Sequence, residues 1–253
     1  MTAQLPDRVR SEDSHFWADV TKGVRIYAQT PRLRGLMVME AAVAAAGAMV
    51  FVNTVVLVQA RLRLGDEAVA LAFAGFGVGS ILAAFVLPRI LKWLADRTVM
   101  IGGAALMVAS VALVPLVGSL TNLIALWAVI GFGFSLTQTP IGRIINRSAR
   151  EADRGAVFAA QFALSHACWL VTYPLAGWVG AGVGLDVAAL ALAAIGGVSV
   201  ALVLRLWPAD DQTTIPHDHP DLPKGHPHLA EHGPSHAHVV VIDYLHRRWP
   251  KAA

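Results

Sequence analysis

The sequence predicts an all-α membrane protein, with six transmembrane helices and a disordered, His-rich C-terminal tail. Three observations carry that fold class. The chain is 56% hydrophobic and only 15% charged, where a soluble domain carries about 25% charged residues. The apolar residues are concentrated between Leu36 and Leu206, with polar stretches on both sides. The apolar runs approach the roughly 20 residues that a helix needs to cross a hydrocarbon core, and they do not alternate with period two.

Residues 1–35 are polar and basic and hold no apolar core of a secretory signal. Within them Phe16, Val20, Val24 and Tyr27 recur at three- and four-residue spacing, with Lys22 and Arg25 between. That pattern predicts a short amphipathic helix lying on the inner leaflet. Residues 36–207 form the membrane domain. Its spans are expected at Leu36–Val58, Ala68–Leu87, Val99–Val117, Leu120–Thr139, Ala156–Gly180 and Val187–Leu206. Gly118 and Ser119 suit a tight turn between the third and fourth. Residues 208–253 form the His- and Pro-rich tail.

The distribution of charge says more than the net value of +3. Basic residues gather before the first span (Arg8, Arg10, Lys22, Arg25, Arg32, Arg34), after the second (Arg89, Lys92, Arg97) and after the fourth (Arg143, Arg147, Arg150, Arg154). The other side has Arg61 and Arg63, faced by Asp66 and Glu67. The positive-inside rule then predicts a multi-pass protein of the inner (plasma) membrane with both termini cytoplasmic. A single cysteine, Cys168, excludes an internal disulfide. No nucleic-acid partner is expected. The GxxxxGK phosphate loop, CxxC pairs and the GxSxG elbow are absent, so neither an ATPase nor a hydrolase is expected and no cofactor is required.

Polar residues inside the apolar runs are costly and tend to face a bundle interior or a water-filled cavity. The third and sixth spans are nearly blank, with Ser110 and Ser199. The first carries Glu40, Asn53 and Thr54, and the fourth ends in Ser135, Thr137, Gln138 and Thr139. The fifth carries Gln161, Ser165, His166, Cys168, Thr172 and Tyr173. The second carries Ser80 and the Gly75-x-x-x-Gly79 pattern of close helix packing.

This alternation, the length and the basic loops resemble one half of a major facilitator superfamily carrier, specifically its C-terminal half. "RILKWLADRTVMIGG" resembles the family's cytoplasmic signature loop, with Asp96-Arg97 at its centre, although Thr98, Val99 and Met100 stand where basic residues are expected. "TYPLAGWVG" resembles the end of the family's eleventh helix, with Pro174, Gly177 and Trp178. The resemblance covers residues 20–207. It implies a solute path between two six-helix halves, hence a second half or a homodimer partner in the bilayer.

Several residues are candidates for transport or coupling. Gln161, Ser165, Cys168 and Thr172 share one face of the fifth span. His166, roughly 100° away, can exchange a proton near neutral pH or bind a metal ion; the alternative is a hydrogen bond to a neighbouring helix. Glu40 either takes part in coupling or pairs at the interface with Arg34 or Arg143. Asn53 and Gln138 can bind substrate or join helices. Asp96 and Arg97 are expected to brace the cytoplasmic face.

Seven histidines lie between His217 and His238: His217, His219, His226, His228, His232, His236 and His238. Six of them form three HxH pairs, and interspersed prolines are expected to keep the segment extended and free of helix. Neutral imidazoles in pairs suit a nickel, cobalt, zinc or copper ion. By composition the tail resembles those of nickel- and cobalt-exporting members of the superfamily. Three readings follow: a proton-driven exporter of a divalent transition metal, a carrier of an organic solute or drug with a regulatory tail, or a non-transporting membrane scaffold with a metal-buffering tail.

Overall fold

A computed structural model describes residues 16–212, 214–218, 222–223, 225–233, 235–243, 245–246 and 248–250, with the side chains of 16–20, 230 and 232 outside that description. The first helix, α1 (Phe16–Gln29), is separated from α2 (Pro31–Val56) by Thr30. Thr30 is extended (φ −92°, ψ 116°) because it precedes Pro31, and Pro31 then opens α2 at a position that needs no N–H. The predicted helix before the first span exists, but it is not a helix resting on the leaflet alone. Gly23, Ile26, Tyr27 and Thr30 are buried and α1 packs on α7 (Arg154–Gly182), while Val24 points outward. Gly23 is the reason the two helices can touch: a Cβ there would lie 2.2 Å from the Ala156 carbonyl oxygen.

The membrane domain continues with α3 (Asp66–Ile90), α4 (Asp96–Ala112), α5 (Leu120–Gln138), the short α6 (Ile141–Ser148), α7 and α8 (Leu185–Leu206). Five segments are long and apolar enough to cross a membrane: Pro31–Arg61, Asp66–Ile90, Leu120–Ser148, Glu151–Gly182 and Leu185–Leu206. The third expected span is the shorter α4. Pro115 lacks an N–H and clashes with the carbonyl four residues back, so the α-helix stops at Ala112 and a 3-10 turn, Val114–Leu116, completes the crossing. Together they cover roughly 30 Å at the standard rises. Ser119, expected in a tight turn, also caps α5, its hydroxyl accepting the Asn122 N–H at 3.2 Å. Three elements of this part were not expected: a π-helical turn, Leu57–Arg61, that prolongs α2; α6, whose Ile141, Ile144 and Ile145 are buried; and a 3-10 turn, Glu151–Asp153, before α7.

Helix α2 is the centre of the bundle and packs against α7, α8 and α4. It is buried on nearly every side, which its run of Ala and Gly permits. Gly35 lies under Trp207, and Gly47 lies under Trp169. On the other flank α3 crosses α5 through glycines: a Cβ on Gly79 would meet the Ala128 oxygen at 1.8 Å, and one on Gly131 the Phe76 oxygen at 2.0 Å. Helices α3 and α7 are the most exposed of the long segments. The third and sixth spans, nearly blank in polar residues, pack on their neighbours on one side, α4 on α5 and α8, and α8 on α2, and keep exposed apolar side chains such as Leu106 and Leu190.

At the end of the bundle away from the tail, Arg61 pairs with Asp186 at 2.6 Å and donates to the Pro115 carbonyl at 2.6 Å. It does not turn to Asp66, which accepts from Gln59 at 2.7 Å instead. At the opposite end, α1, α6, the start of α2 and the end of α8 share one apolar cluster with Ile242 and Trp249 of the tail. Within the tail, β1 (Thr214–Asp218) pairs antiparallel with β2 (Ser235–Val239), His217 facing His236. Between them lies α9 (Pro227–His232). The expectation that prolines exclude helix fails here because Pro227 occupies the first turn, where a missing N–H costs nothing.

Candidate functional site

Two polar assemblies stand out, one inside the bundle and one in the tail. The first is built on Glu40, which α2 carries into the bundle interior with 4% of its surface exposed. Gln161 Nε2, from α7, donates to Glu40 Oε1 at 3.0 Å. Gln138 Nε2, from the end of α5, donates to Oε2 at 3.3 Å. The Tyr27 hydroxyl of α1 donates in turn to Gln161 Oε1. Burial, then the nearby Glu40 and Cys168, push the Tyr27 phenol upward, so it stays a donor. Three helices thus meet at one carboxylate, and a fourth, α1, joins through Gln161. Neither Arg34 nor Arg143 reaches it: Arg34 is exposed, and Arg143 pairs with Asp96 at 2.8 Å. The interfacial pairing considered for Glu40 is therefore corrected, for a physical reason: its position faces inward, and glutamine amides supply the donors.

The other polar side chains of α2 also serve contacts between helices. Asn53 Nδ2 donates to the Ala176 carbonyl at 3.3 Å, and the Trp127 indole donates to Thr54 at 2.8 Å. Thr172 of α7 donates to the Ala44 carbonyl at 3.2 Å. His166 is exposed, its Nδ1 donating to the Phe162 carbonyl at 2.7 Å and its ring 3.9 Å from that of Phe162. Ser165 and Cys168 are half-buried. The structure does not join His166 and Cys168 into a ligand group. Asp96 and Arg97 lie at the tail end, with Arg97 Nε donating to the Trp207 carbonyl at 2.8 Å.

The second assembly is in the tail. His217, His238 and His246 bring one ligand atom each to within 4.8 Å of one another, and so do His228, His236 and His238. Among the described residues these are the groups of three or more metal-ligating side chains. His219 and the side chain of His232 lie outside the described residues, and His226 caps α9 by accepting the His228 N–H at 3.2 Å. His246 was missed by the sequence reading, being outside the HxH pattern, and so was its partner Asp243, 3.0 Å from its Nδ1. An Asp-x-x-His spacing next to a histidine-rich run was the available signal.

The tail should respond to acid. Burial lowers the pKa of His217; its bond to the Ile215 carbonyl opposes this, and His238, His246 and His236 add to the lowering. Burial alone would raise Asp243, but the side-chain and backbone bonds from His246 and the Leu245 N–H outweigh it and hold the carboxyl below its usual range. A lowered His217 means that the folded hairpin binds fewer protons than the unfolded chain, so stability falls as pH drops below about 6.5. A lowered Asp243 stabilises above the ordinary carboxylate value, about 3.9, and that contribution is lost as pH falls through its folded value. Hydrogen exchange at the β1 amides, corrected for the intrinsic rate, should therefore speed up between pH 7.5 and 5.5. Constant protection across that range would contradict it.

A family model, the Major Facilitator Superfamily, matches residues 37–246. No curated protein matches the chain.

Proposed function

The chain belongs to the major facilitator superfamily, and on that premise we propose that its bundle is one six-helix half of a proton-coupled exporter of a divalent transition-metal ion. Members of this family are secondary transporters and not enzymes, so the chain is a multi-pass membrane protein acting on a small solute. The broad exposed faces of α3 and α7 support a second six-helix unit, from another chain or another copy, covering them. The gathering of Arg89, Lys92, Arg97, Arg143, Arg147 and Arg150 at the tail end supports a cytoplasmic tail and both termini inside.

Glu40 is the coupling group in this reading. Ionised, it accepts from two amides. Protonated, it must donate, so an amide has to turn its oxygen toward it; where that amide is Gln161, Tyr27 then accepts from its Nε2. Proton uptake reverses the direction of hydrogen bonds across α1, α2, α5 and α7, which gives the bundle two discrete arrangements. His166, exposed on the same α7 that carries Gln161, is the second candidate coupling residue in this reading. Gln138, Gln161 and Asn53 hold helices in the state described and release polar groups in the other.

One observation carries the metal: the two three-histidine groups of the tail. A cytoplasmic chelator serves an exporter by collecting ion near the inner mouth. Cutting the tail away is a poor test, because Ile242 and Trp249 pack into the bundle. The better variant replaces His217, His228, His236 and His238 together with alanine in the complete carrier. Host cells should become more sensitive to one of nickel, cobalt, zinc or copper at equal carrier abundance. Unchanged tolerance to all of them would favour an organic solute. That second reading has its own support, since the ligand groups found among the described residues lie outside the bundle.

A further inference from the structure

The histidines of the first group come from two separately held pieces of the tail. His217 and His238 stand on the two strands of the hairpin. His246 belongs to the segment after it, which is fastened to the bundle. There Val240, Ile242 and His246 are buried, and the Arg32 guanidinium lies 5.1 Å from the Trp249 ring. Asp243 Oδ2 lies 3.6 Å from Arg150, in the loop that leads into α7. A cation shared by the three imidazoles would therefore bridge the hairpin to the bundle.

The tautomers are set for it. His217 Nδ1 faces the Ile215 carbonyl at 2.8 Å, His238 Nδ1 the Val239 carbonyl at 2.9 Å, and His246 Nδ1 the Asp243 carboxylate at 3.0 Å. Oxygens of this kind accept, so each Nδ1 carries a hydrogen and Nε2 is the atom that a metal ion would take on each ring. His217 Nε2 and His246 Nε2 are 3.0 Å apart, a hydrogen bond that holds while one of the two carries a proton there, and a bound cation would take that proton's place. Two nitrogens on one tetrahedral ion with 2.0–2.1 Å bonds lie about 3.3 Å apart, so little movement is needed. Asp243 supplies the carboxylate behind a ligating histidine that fixes its ring and strengthens it as a ligand.

We propose that a divalent transition-metal ion bound by Nε2 of His217, His238 and His246 staples the tail hairpin to the end of the bundle, with Asp243 linking the ligand His246 to Arg150. This rests on the metal reading of the tail and adds to it a defined site and a mechanical result of filling it. His238 belongs to both three-histidine groups. With its Nδ1 occupied it has one lone pair, so it serves one ion at a time, and one tight ion per chain is expected.

The test uses the full chain in detergent, titrated with zinc chloride by calorimetry at pH 7.5, with hydrogen exchange of residues 214–239 read before and after. Wild type should bind one zinc tightly and gain protection. His246→Ala should lose at least about tenfold in affinity, and Asp243→Asn about 10–100-fold, while His226→Ala, which belongs to neither group, should match wild type. Arg150→Ala should bind zinc as wild type does but gain less protection, a readout that separates the staple from the site. Equal losses in His226→Ala and His246→Ala would overturn the site, leaving loose chelation by composition. Full protection in Arg150→Ala would overturn the link. No zinc binding by wild type would remove the metal reading of the tail itself, whereas transport assays in vesicles decide the export reading separately.

Discussion

Glu40→Gln is expected to leave the protein folded and inserted while gradient-driven transport falls by roughly tenfold or more, because intramembrane carboxylates of this kind serve as proton relays. The substituted amide fills the same space between Gln138 and Gln161 and can still take part in hydrogen bonds, but it cannot ionise. The direction of hydrogen bonding around it then no longer depends on proton supply. Substrate exchange without a gradient should survive in the variant, since it does not require the group to change charge. Glu40→Ala should behave differently, leaving the buried Gln161 amide and the half-buried Gln138 amide short of an acceptor at about 1–3 kcal/mol of stability. Reconstituted vesicles with an imposed pH gradient read the first effect, and thermal unfolding in detergent reads the second. Full gradient-driven transport by Glu40→Gln would remove Glu40 from coupling.

Gly79→Leu is expected to prevent accumulation of folded protein. Even the first carbon of the new side chain would sit 1.8 Å from the Ala128 carbonyl oxygen, and backbone cannot yield as a side-chain tip can. Helices α3 and α5 would have to separate along their crossing, where Gly131 makes the reciprocal approach to Phe76 at 2.0 Å. Ordinary overpacking costs about 1–3 kcal/mol; opening a whole helix pair exceeds that. The matched control is Gly77→Leu, two residues away on the same helix, where nothing lies within 4 Å of the added carbon. The control should be recovered like wild type by size-exclusion chromatography. Recovery of monodisperse Gly79→Leu would show that this crossing is not required.

The spans were legible because crossing hydrocarbon demands length and apolarity, and both are written in composition. The family resemblance was legible for the same reason. Less legible was which polar residues would meet. Glu40 and Gln161 lie 121 positions apart, and nothing in either neighbourhood announces the other. A carboxylate near the start of a span looks like an interfacial group until the fold shows it facing inward. Tyr27 was counted as part of an apolar stripe, because its hydroxyl gains its purpose only from Gln161. The HxH pairs advertised the tail, but His246 joins them only through the docking of Ile242 and Trp249. Helix α6 was read as a charged loop, since its buried isoleucines alternate with arginines over only eight residues.

The burial of α2 bears on how the chain is made. Its polar groups find their partners late: Trp127 lies 73 positions from Thr54, Gln138 98 positions from Glu40, and Ala176 123 positions from Asn53. At a synthesis rate of about 5–20 residues per second, a separation of that last kind lasts on the order of 6–25 s. Throughout that interval the newly inserted helix holds a carboxylate and an amide that lipid cannot solvate. Something polar has to attend it until α7 emerges, whether water, lipid headgroups or the insertion machinery. A ribosome that stalled before α7 would leave behind a helix fit to enter the membrane and unfit to remain there alone, a natural substrate for membrane quality control.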